Sequence, residues 1–223
     1  MKNVNIAVDG PSGAGKSTLA RRLAERLGYI YVDTGALYRA IAYDMLQHHA
    51  ESEQDIAERL PELDIAIDYQ DGVQHVLVNG EDVSGLIRTP EVSMGASRVS
   101  AIPAVRQFLF DLQQRLAREH SVVMDGRDIG TVVLPDADVK IFLTATPEKR
   151  AWRRYLELEE KQPGVQSYED VLADVIRRDE QDMNRAISPL KQAEDAVLVD
   201  TTEIDFEASC ATVEQLIRER FGL

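Results

Sequence analysis

The residues that indicate a chemical function most clearly form a glycine-rich segment near the start of the chain. Segment 10–17 reads GPSGAGKS and fits the pattern G-x-x-x-x-G-K-[ST], which binds nucleotide phosphates where it joins a strand to a helix. The glycines let backbone N–H groups point at phosphate oxygens, and the following helix adds the positive end of its dipole. We expect Lys16 to reach the β and γ phosphates, Ser17 to ligate Mg²⁺ and Thr18 to reach the α phosphate. The predicted ATP-binding residues of this loop are Gly10, Pro11, Ser12, Gly13, Ala14, Gly15, Lys16, Ser17 and Thr18, with Ser17 as the metal ligand.

Two more motifs follow predicted strands, at the carboxyl ends where open parallel sheets bind their ligands. Segment 33–39 (DTGALYR) supplies Thr34 and Arg39, which can hold the phosphate of an acceptor. The alternative there is a helix cap at Asp33 or Thr34 with a surface arginine. Segment 125–130 (DGRDIG) sets Arg127 beside Asp128, and its alternative is an exposed salt-bridge turn.

Arginines on predicted helices in the second half of the chain are further candidates. Arg153 and Arg154 belong to a group that begins at Arg150. Arg178 and Arg185 are seven residues apart, a separation that returns to one helix face, with Arg185 close to the helix end. Guanidinium groups stabilise the charge that spreads over a phosphoryl group during transfer, which is the role we expect for these arginines. The alternative for each of them is a solvated arginine on the protein surface.

The elements that must position these residues predict an α/β fold with a five-stranded parallel sheet flanked by helices. Short apolar runs predict core strands at 4–8, 29–32, 122–124, 139–143 and 196–199. Helical patterns lie between and after them at 16–27, 37–47, 103–119, 170–184 and 206–221. Such alternation is typical of a parallel sheet covered on both faces.

Two segments interrupt the alternation and predict parts outside the core. Around Asp71-Gly72, runs 65–69 and 73–78 alternate apolar and polar residues, which predicts an antiparallel hairpin. We therefore predict an insertion at 62–96 that forms a separate small sheet, and an arginine-rich helical cover, or lid, at 148–166. The phosphate-binding core then comprises 1–61, 97–147 and 167–223.

Composition narrows the class of protein. The chain has 223 residues and a formal net charge of −14, which disfavours binding of DNA or RNA. One cysteine allows no internal disulfide, and four histidines make a zinc site improbable. The apolar runs are too short to span a membrane and the N-terminus lacks a signal pattern, so we expect a cytoplasmic protein.

The motifs that the chain lacks narrow the chemistry. Neither the guanine motif [NT]-K-x-D nor the transporter signature L-S-G-G-Q occurs, which disfavours GTPases and transporter ATPases. A kinase of a small acceptor remains.

Taken together, the motifs resemble bacterial cytidylate kinases, a family of nucleoside monophosphate kinases, over essentially the whole chain. The resemblance rests on segments 10–18, 33–39, 83–88, 125–133 and 184–186. It implies a monomeric P-loop kinase that transfers the γ-phosphoryl group of MgATP to CMP or dCMP, giving ADP and CDP or dCDP. It also implies that the insertion closes on the monophosphate and the lid on ATP.

The resemblance also implies roles for individual residues. It assigns cytosine contacts to Ser97, Arg106 and Asp128, acceptor-phosphate contacts to Arg39, Arg127 and Arg178, and a contact near the ribose to Arg185. Thr34 stands where many relatives have serine, and Ser17 where some have glycine. The full acceptor set is Asp33, Thr34, Arg39, Ser97, Arg106, Arg127, Asp128, Arg178 and Arg185. The catalytic set is Lys16, Arg127, Arg178 and Arg185, and Arg153 and Arg154 of the lid join the ATP site.

Two other functions remain open at this point. In a kinase that phosphorylates a hydroxyl group, Asp33 would act as the base toward an alcohol. In a nucleotide-sensing module, Lys16 would hold ATP without turnover. The number of arginines near the acceptor, together with Arg106 and Asp128, favours a nucleoside monophosphate.

Overall fold

Strands and helices alternate along residues 3–221, the part of the chain that the computed structural model describes. The strands are β1 (Asn5–Asp9), β2 (Ile30–Asp33), β3 (Ile65–Gln70), β4 (Val73–Val78), β5 (Glu81–Asp82), β6 (Val122–Gly126), β7 (Val139–Thr144) and β8 (Val197–Asp200). The helices are α1 (Lys16–Leu27), α2 (Thr34–Gln47), α3 (Glu53–Arg59), α4 (Pro90–Val99), α5 (Pro103–Glu119), α6 (Pro147–Lys161), α7 (Tyr168–Asn184) and α8 (Phe206–Phe221). A 3-10 turn at Leu60–Glu62 and a π-helical turn at Ile129–Val133 complete the list.

The main sheet has five parallel strands in the order β2-β6-β1-β7-β8, which confirms the predicted fold class. Alternate residues of a strand point to opposite faces of a sheet. In β1, Ile6 and Val8 accordingly join the cluster formed with α1 and α8, while Ala7 packs with β2, β6 and α5 on the other face. Burial on both faces explains why these strands read as nearly continuous apolar runs.

The turn between β1 and α1 depends on glycine. Gly10 has a φ of 145°, and a Cβ there would lie 1.9 Å from the carbonyl oxygen of Leu143 in β7. The loop therefore passes directly against the neighbouring strand, a path that only glycine allows. Helix α1 then runs from Lys16 to Leu27, as predicted, and ends at Gly28, whose φ is 67°.

The predicted hairpin is present as β3 and β4, which pair in antiparallel register around a turn at Asp71 and Gly72 with positive φ at both residues. The short strand β5 adds a third strand. Two side chains of this small sheet bond to the edge strand β2. Tyr69 Oη donates to the Tyr31 carbonyl at 2.9 Å, and Gln74 Oε1 accepts from the Asp33 N–H at 2.7 Å.

Helices α6 and α7 form an antiparallel pair that contains most of the predicted lid. Ala151, Val171 and Val175 are buried between them. Where α7 begins, the rings of Trp152, Tyr155 and Tyr168 pack together with centroids 5.7 to 6.2 Å apart. The division into core, insertion and lid stays a prediction. Within residues 3–221, no helix is long and apolar enough to cross a membrane.

Candidate active site

The phosphate-binding loop surrounds the amine of Lys16. The side chain is buried, and Nζ donates to the carbonyl oxygen of Pro11 at 2.8 Å. Burial, together with the charge of Arg127, lowers the pKa of Lys16 to about 7 against the opposing charges of Asp125 and Asp182. A cation held in low dielectric acts strongly on an incoming anion, because few waters compete with it.

Ser17 and Asp125 bring together the oxygen ligands that Mg²⁺ prefers. Ser17 Oγ donates to Asp125 Oδ2 at 2.8 Å, and Tyr31 Oη donates to Oδ1 at 3.1 Å. Burial raises the pKa of Asp125 to about 6, and the charge of Asp33 adds to this effect. A cation bound to Ser17 and Asp125 would offset both the burial of the Asp125 carboxylate and its repulsion by Asp33. One hydroxyl and one carboxylate are also a typical protein contribution for an ion that keeps several waters and binds phosphate oxygens. The residues present therefore fit Mg²⁺.

The segment after β2 combines a helix cap with a cationic cluster. The Asp33 carboxylate accepts from the Ala36 N–H at 2.9 Å as the N-cap of α2, which explains why this helix begins at Thr34 instead of the predicted 37. The same carboxylate accepts from Arg39 Nη2 at 3.0 Å, with Arg88 Nη2 at 3.6 Å. Asp33 is thus a cap, as the alternative held.

Neither Thr34 nor Arg39, which lie beside this cap, is a surface group. Thr34 Oγ1 is buried and donates to the Asp125 carbonyl at 2.7 Å, which joins the ends of β2 and β6. Arg39 Nε is buried and has no hydrogen-bond partner among residues 3–221. A free N–H at this position favours an acceptor that the protein itself does not supply.

Arg106 of α5 and Asp128 after β6 form a buried ion pair. Arg106 Nη2 contacts the Asp128 carboxylate, Nε donates to Ser188 Oγ at 3.1 Å, and Nη1 donates to the Ser100 carbonyl at 3.2 Å. The guanidinium also lies 5.6 Å from the ring centroid of Tyr38. Asp128 is buried and pairs with Arg106, while its neighbour Arg127 pairs with Asp182, so the alternative of an exposed salt-bridge turn at 125–130 is wrong. Ser97 is half-buried in α4, where its carbonyl accepts from Ser100 Oγ at 2.9 Å.

Arginines from two elements converge on Asp182 of α7. Arg127 Nε donates to Asp182 Oδ2 at 2.7 Å, and Arg185 Nη1 lies 3.9 Å from Oδ1. Burial alone would raise the pKa of Asp182, but Arg127, Arg185 and Arg178 outweigh it and the pKa is lowered. Sequence reasoning missed Asp182, although positions 178, 182 and 185 share one helix face.

The remaining arginines of this cluster are partly free of protein partners. Arg178 is half-buried, and its pKa is lowered by burial and by the charges of Arg127 and Arg39. Arg185 lies just past the end of α7, as expected, and its buried Nη2 has no partner within the described chain. The structure thus brings Arg39, Arg127, Arg178 and Arg185 into one electrostatic cluster.

The arginines of α6 point in different directions. Arg150 is buried and donates to the Ser12 carbonyl of the phosphate-binding loop at 3.0 Å, while Asp179 of α7 accepts from it at 2.5 and 3.1 Å. Arg153 instead donates to Thr201 after β8, through Nη1 to Oγ1 at 3.1 Å and Nη2 to the carbonyl at 2.6 Å. Arg154 is exposed beside Glu157 at 3.7 Å.

A cavity of about 450 Å³ opens beside the phosphate-binding loop. Pro11 and Arg150 line it on the loop side, Met183 lines it from the last turn of α7, and Leu190 and Gln192 line it from the segment that follows. Its walls combine apolar side chains with a few polar groups, which is typical of sites that bind small molecules.

Comparison with known proteins decides the family. A family model described as cytidylate kinase matches residues 6–219. The chain belongs to the cytidylate kinase family. A cytidylate kinase from Caldicellulosiruptor saccharolyticus is 50% identical over 224 residues, covering 100% of this chain and 99% of the relative. One from Carboxydothermus hydrogenoformans is 50% identical, covering 96% of this chain and 97% of the relative. The predicted resemblance and enzyme class are both confirmed: the chain is a kinase of the cytidylate kinase family.

The fold has a similar solved structure as well. An uncharacterized protein from Eubacterium ventriosum superimposes with a TM-score of 0.54 at 13% sequence identity, over 96% of this chain and 98% of the other. At that identity the likeness shows only the shared arrangement of sheet and helices. The roles of single residues in this cytidylate kinase family member therefore rest on the geometry described above.

Proposed function

We propose that the chain transfers the γ-phosphoryl group of MgATP to CMP or dCMP, giving ADP and CDP or dCDP. Membership of the cytidylate kinase family supports phosphoryl transfer to a cytidine monophosphate. The observation that carries the proposal is the buried Arg106–Asp128 pair, which lies near Arg185, an arginine with a buried Nη2 that has no partner among the described residues. A neutral alcohol would need neither the pair nor the arginines.

The donor nucleotide binds at the loop in this proposal. Backbone N–H groups of 10–17 and the start of α1 receive the phosphates, with Lys16 at the β and γ positions. The cavity of about 450 Å³ then holds the base, with Arg150 at its wall. Ser17 and Asp125 would hold Mg²⁺ together with phosphate oxygens, and when bound the ion neutralises charge on the β and γ phosphates. We assign Arg153 and Arg154 to the ATP site once the lid has closed.

The base of the acceptor is recognised by Arg106 and Asp128. Cytosine presents an amino group that needs an acceptor, and a carbonyl oxygen and ring nitrogen that need donors. A carboxylate and a guanidinium held side by side supply this pattern, with Ser97 nearby on α4. Uracil carries a carbonyl in place of the amino group, so Asp128 would face an acceptor and disfavour UMP.

The phosphate of the acceptor is held by Arg39, Arg127, Arg178 and Arg185. Arg39 Nε and Arg185 Nη2 are buried donors without a protein partner among the described residues. Phosphate oxygens are strong acceptors that arginine forks bind in two places at once. Thr34 and Asp33 support this cluster by fixing the start of α2.

Transfer then needs alignment and charge neutralisation, and it needs no general base. The second pKa of a phosphomonoester is about 6, so the attacking oxygen is already ionised at neutral pH. Asp33 is committed to its cap and to Arg39, which does not suit it as a base. Lys16, Arg127, Arg178 and Arg185 stabilise the charge spread over the transferred group.

Closure of the two mobile parts excludes water. We assign acceptor binding to 62–96 and the ATP lid to 148–166, because the first bonds to the end of β2 and the second reaches the loop through Arg150. Closure sequesters the reaction from hydrolysis. The proposal treats the enzyme as a cytoplasmic monomer whose partners are free nucleotides.

An ADP-release assay with MgATP tests the proposal. Separate reactions contain CMP, dCMP, UMP, AMP, GMP, shikimate or no acceptor. We expect turnover with CMP and dCMP well above that with UMP and AMP, and Asp128→Asn should reduce this preference. Activity on an alcohol or on AMP would overturn the cytosine assignment, and binding of ATP without turnover of any acceptor would indicate a nucleotide sensor.

A further inference from the structure

Asp9, the last residue of β1, makes contacts that neither the donor site nor the acceptor site accounts for. Its side chain is buried. Oδ1 accepts from the Ile129 N–H at 2.8 Å, and Oδ2 accepts from the Gly130 N–H at 2.7 Å. One carboxylate thus binds two consecutive backbone donors that lie more than a hundred residues away in the sequence.

The two donors are the first N–H groups of the π-helical turn Ile129–Val133. The N–H groups at the start of a helical turn have no partner within it, and the side chain of the preceding residue commonly caps them. Asp128 precedes this turn, yet its side chain makes no cap hydrogen bond and instead pairs with Arg106. Asp9 therefore supplies from another strand the cap that Asp128 would otherwise have to provide.

The close approach of Asp9 depends on the absence of a side chain at position 130. A Cβ on Gly130 would lie 3.3 Å from Asp9 Oδ2 and 3.1 Å from Cδ of Lys140. Both distances are shorter than ordinary van der Waals contacts, so a side chain here would push the turn away from Asp9. The turn is seated between a carboxylate and the stem of a buried lysine.

We propose that Asp9 is a positioning residue for recognition of the acceptor base. By capping the turn, it leaves the Asp128 carboxylate free to face Arg106 and the base. It also holds the preceding residue, Arg127, in position to pair with Asp182. Because Asp9 directly precedes Gly10, the same strand end sets the phosphate-binding loop and the acceptor turn together. This inference rests on the proposed role of Asp128.

The test is Asp9→Asn, with Asp138→Asn as its matched control. Asparagine has the same shape but turns an amide N–H toward one of the two donors, so one bond is lost. Asp138 accepts from the Asn5 N–H at 3.0 Å, so it bonds to the same strand at the opposite end. We expect Asp9→Asn to raise the KM for CMP about tenfold, as for loss of one bond to a charged acceptor, with a smaller fall in kcat through the displacement of Arg127. The preference for CMP over UMP in kcat/KM should fall by a similar factor.

The control separates positioning from general stability. Both variants are expected to unfold at a lower temperature, but only Asp9→Asn should change KM and base preference. If Asp9→Asn keeps the wild-type preference, or if Asp138→Asn loses it to the same extent, the inference is wrong. Asp128→Asn distinguishes this result from failure of the proposed function, because a base preference that is insensitive to Asp128→Asn refutes the role of Asp128 itself.

A measurement on the wild-type chain avoids variants that do not fold. Hydrogen exchange followed by NMR reports on the Ile129 and Gly130 amides directly. We expect slow exchange of both, and slower exchange when CMP is added. Exchange as fast as that of an exposed loop would show that the cap does not persist in solution and would overturn the inference.

Discussion

Replacing Asp179 with asparagine tests how α7, α6 and the phosphate-binding loop are held together. Arg150 is buried, and Asp179 is its only carboxylate partner among the described residues. Its other acceptors are the carbonyls of Ala145 and Ser12, at 2.8 and 3.0 Å. Asparagine keeps one acceptor oxygen but removes the charge, which leaves a buried guanidinium with neutral partners.

The expected loss of stability follows from the burial of this pair. Removing one partner of a buried ion pair costs about 3–5 kcal/mol, and the two carbonyls that remain place Asp179→Asn near the lower end, at about 3 kcal/mol. For a chain of this size each kcal/mol corresponds to about 2–4 °C, so Tm should fall by about 6–12 °C.

Urea unfolding followed by circular dichroism measures the free energy of unfolding. Asp174→Asn is the matched control, because Asp174 pairs on the same helix with Arg177 at 2.8 Å and both side chains are exposed. We expect a change of less than about 1 kcal/mol for the control. A loss below about 1 kcal/mol for Asp179→Asn, or one equal to that of the control, would refute the reasoning. The double variant Arg150→Met/Asp179→Leu should recover part of the loss, since neither charge is then buried alone.

Three further predictions concern other parts of the site. Burial lowers the pKa of Lys16 to about 7, so between pH 7 and its unfolded pKa the unfolded chain binds more protons and the contribution of Lys16 to stability rises with pH. Lys16→Met should remove this rise, as measured by urea unfolding at pH 7, 8.5 and 10; equal slopes for both chains would contradict it. Gly10→Ala places a Cβ 1.9 Å from the Leu143 carbonyl and should abolish binding of an ATP analogue in calorimetry, whereas Gly85→Ala, with nothing within 4 Å, should bind normally. Gln74→Leu removes the side-chain bonds to the Asp33 backbone and should raise the KM for CMP severalfold, while the exposed Gln70→Leu leaves it unchanged; identical KM values would refute a role for this contact.

The parts of the fold that sequence patterns predict best are those with strong local signals. Helices α1, α5 and α8 have the predicted bounds, and the hairpin around Asp71 and Gly72 forms where alternation and turn residues indicate it. Short apolar runs locate the five core strands within one or two residues. Their order in the sheet depends on long-range pairing, which the patterns do not contain.

The residues of the candidate site likewise divide into those that a local motif indicates and those whose roles depend on long-range contacts. A fixed motif identifies the phosphate-binding loop, because its function needs glycines and a lysine at set spacing. Sequence patterns do not indicate Asp182 or Asp9, because the roles of these residues depend on partners from strands and loops distant in the sequence. The cap at Asp33 was one of two alternatives, and only the positions of Ala36 and Arg39 decide between them.

The contacts between the small sheet and β2 also protect the protein against association. Strand β2 is one of the two edge strands of the main sheet, and an uncovered edge offers unpaired N–H and C=O groups to a strand of another molecule. Tyr69 bonds to the outward-facing carbonyl of Tyr31, and Gln74 bonds to the N–H and the carbonyl of Asp33. Removing 62–96 would therefore affect more than the acceptor binding proposed for this segment. It would expose an apolar strand to intermolecular pairing, and the shortened kinase should aggregate unless charged side chains or a proline are introduced along β2.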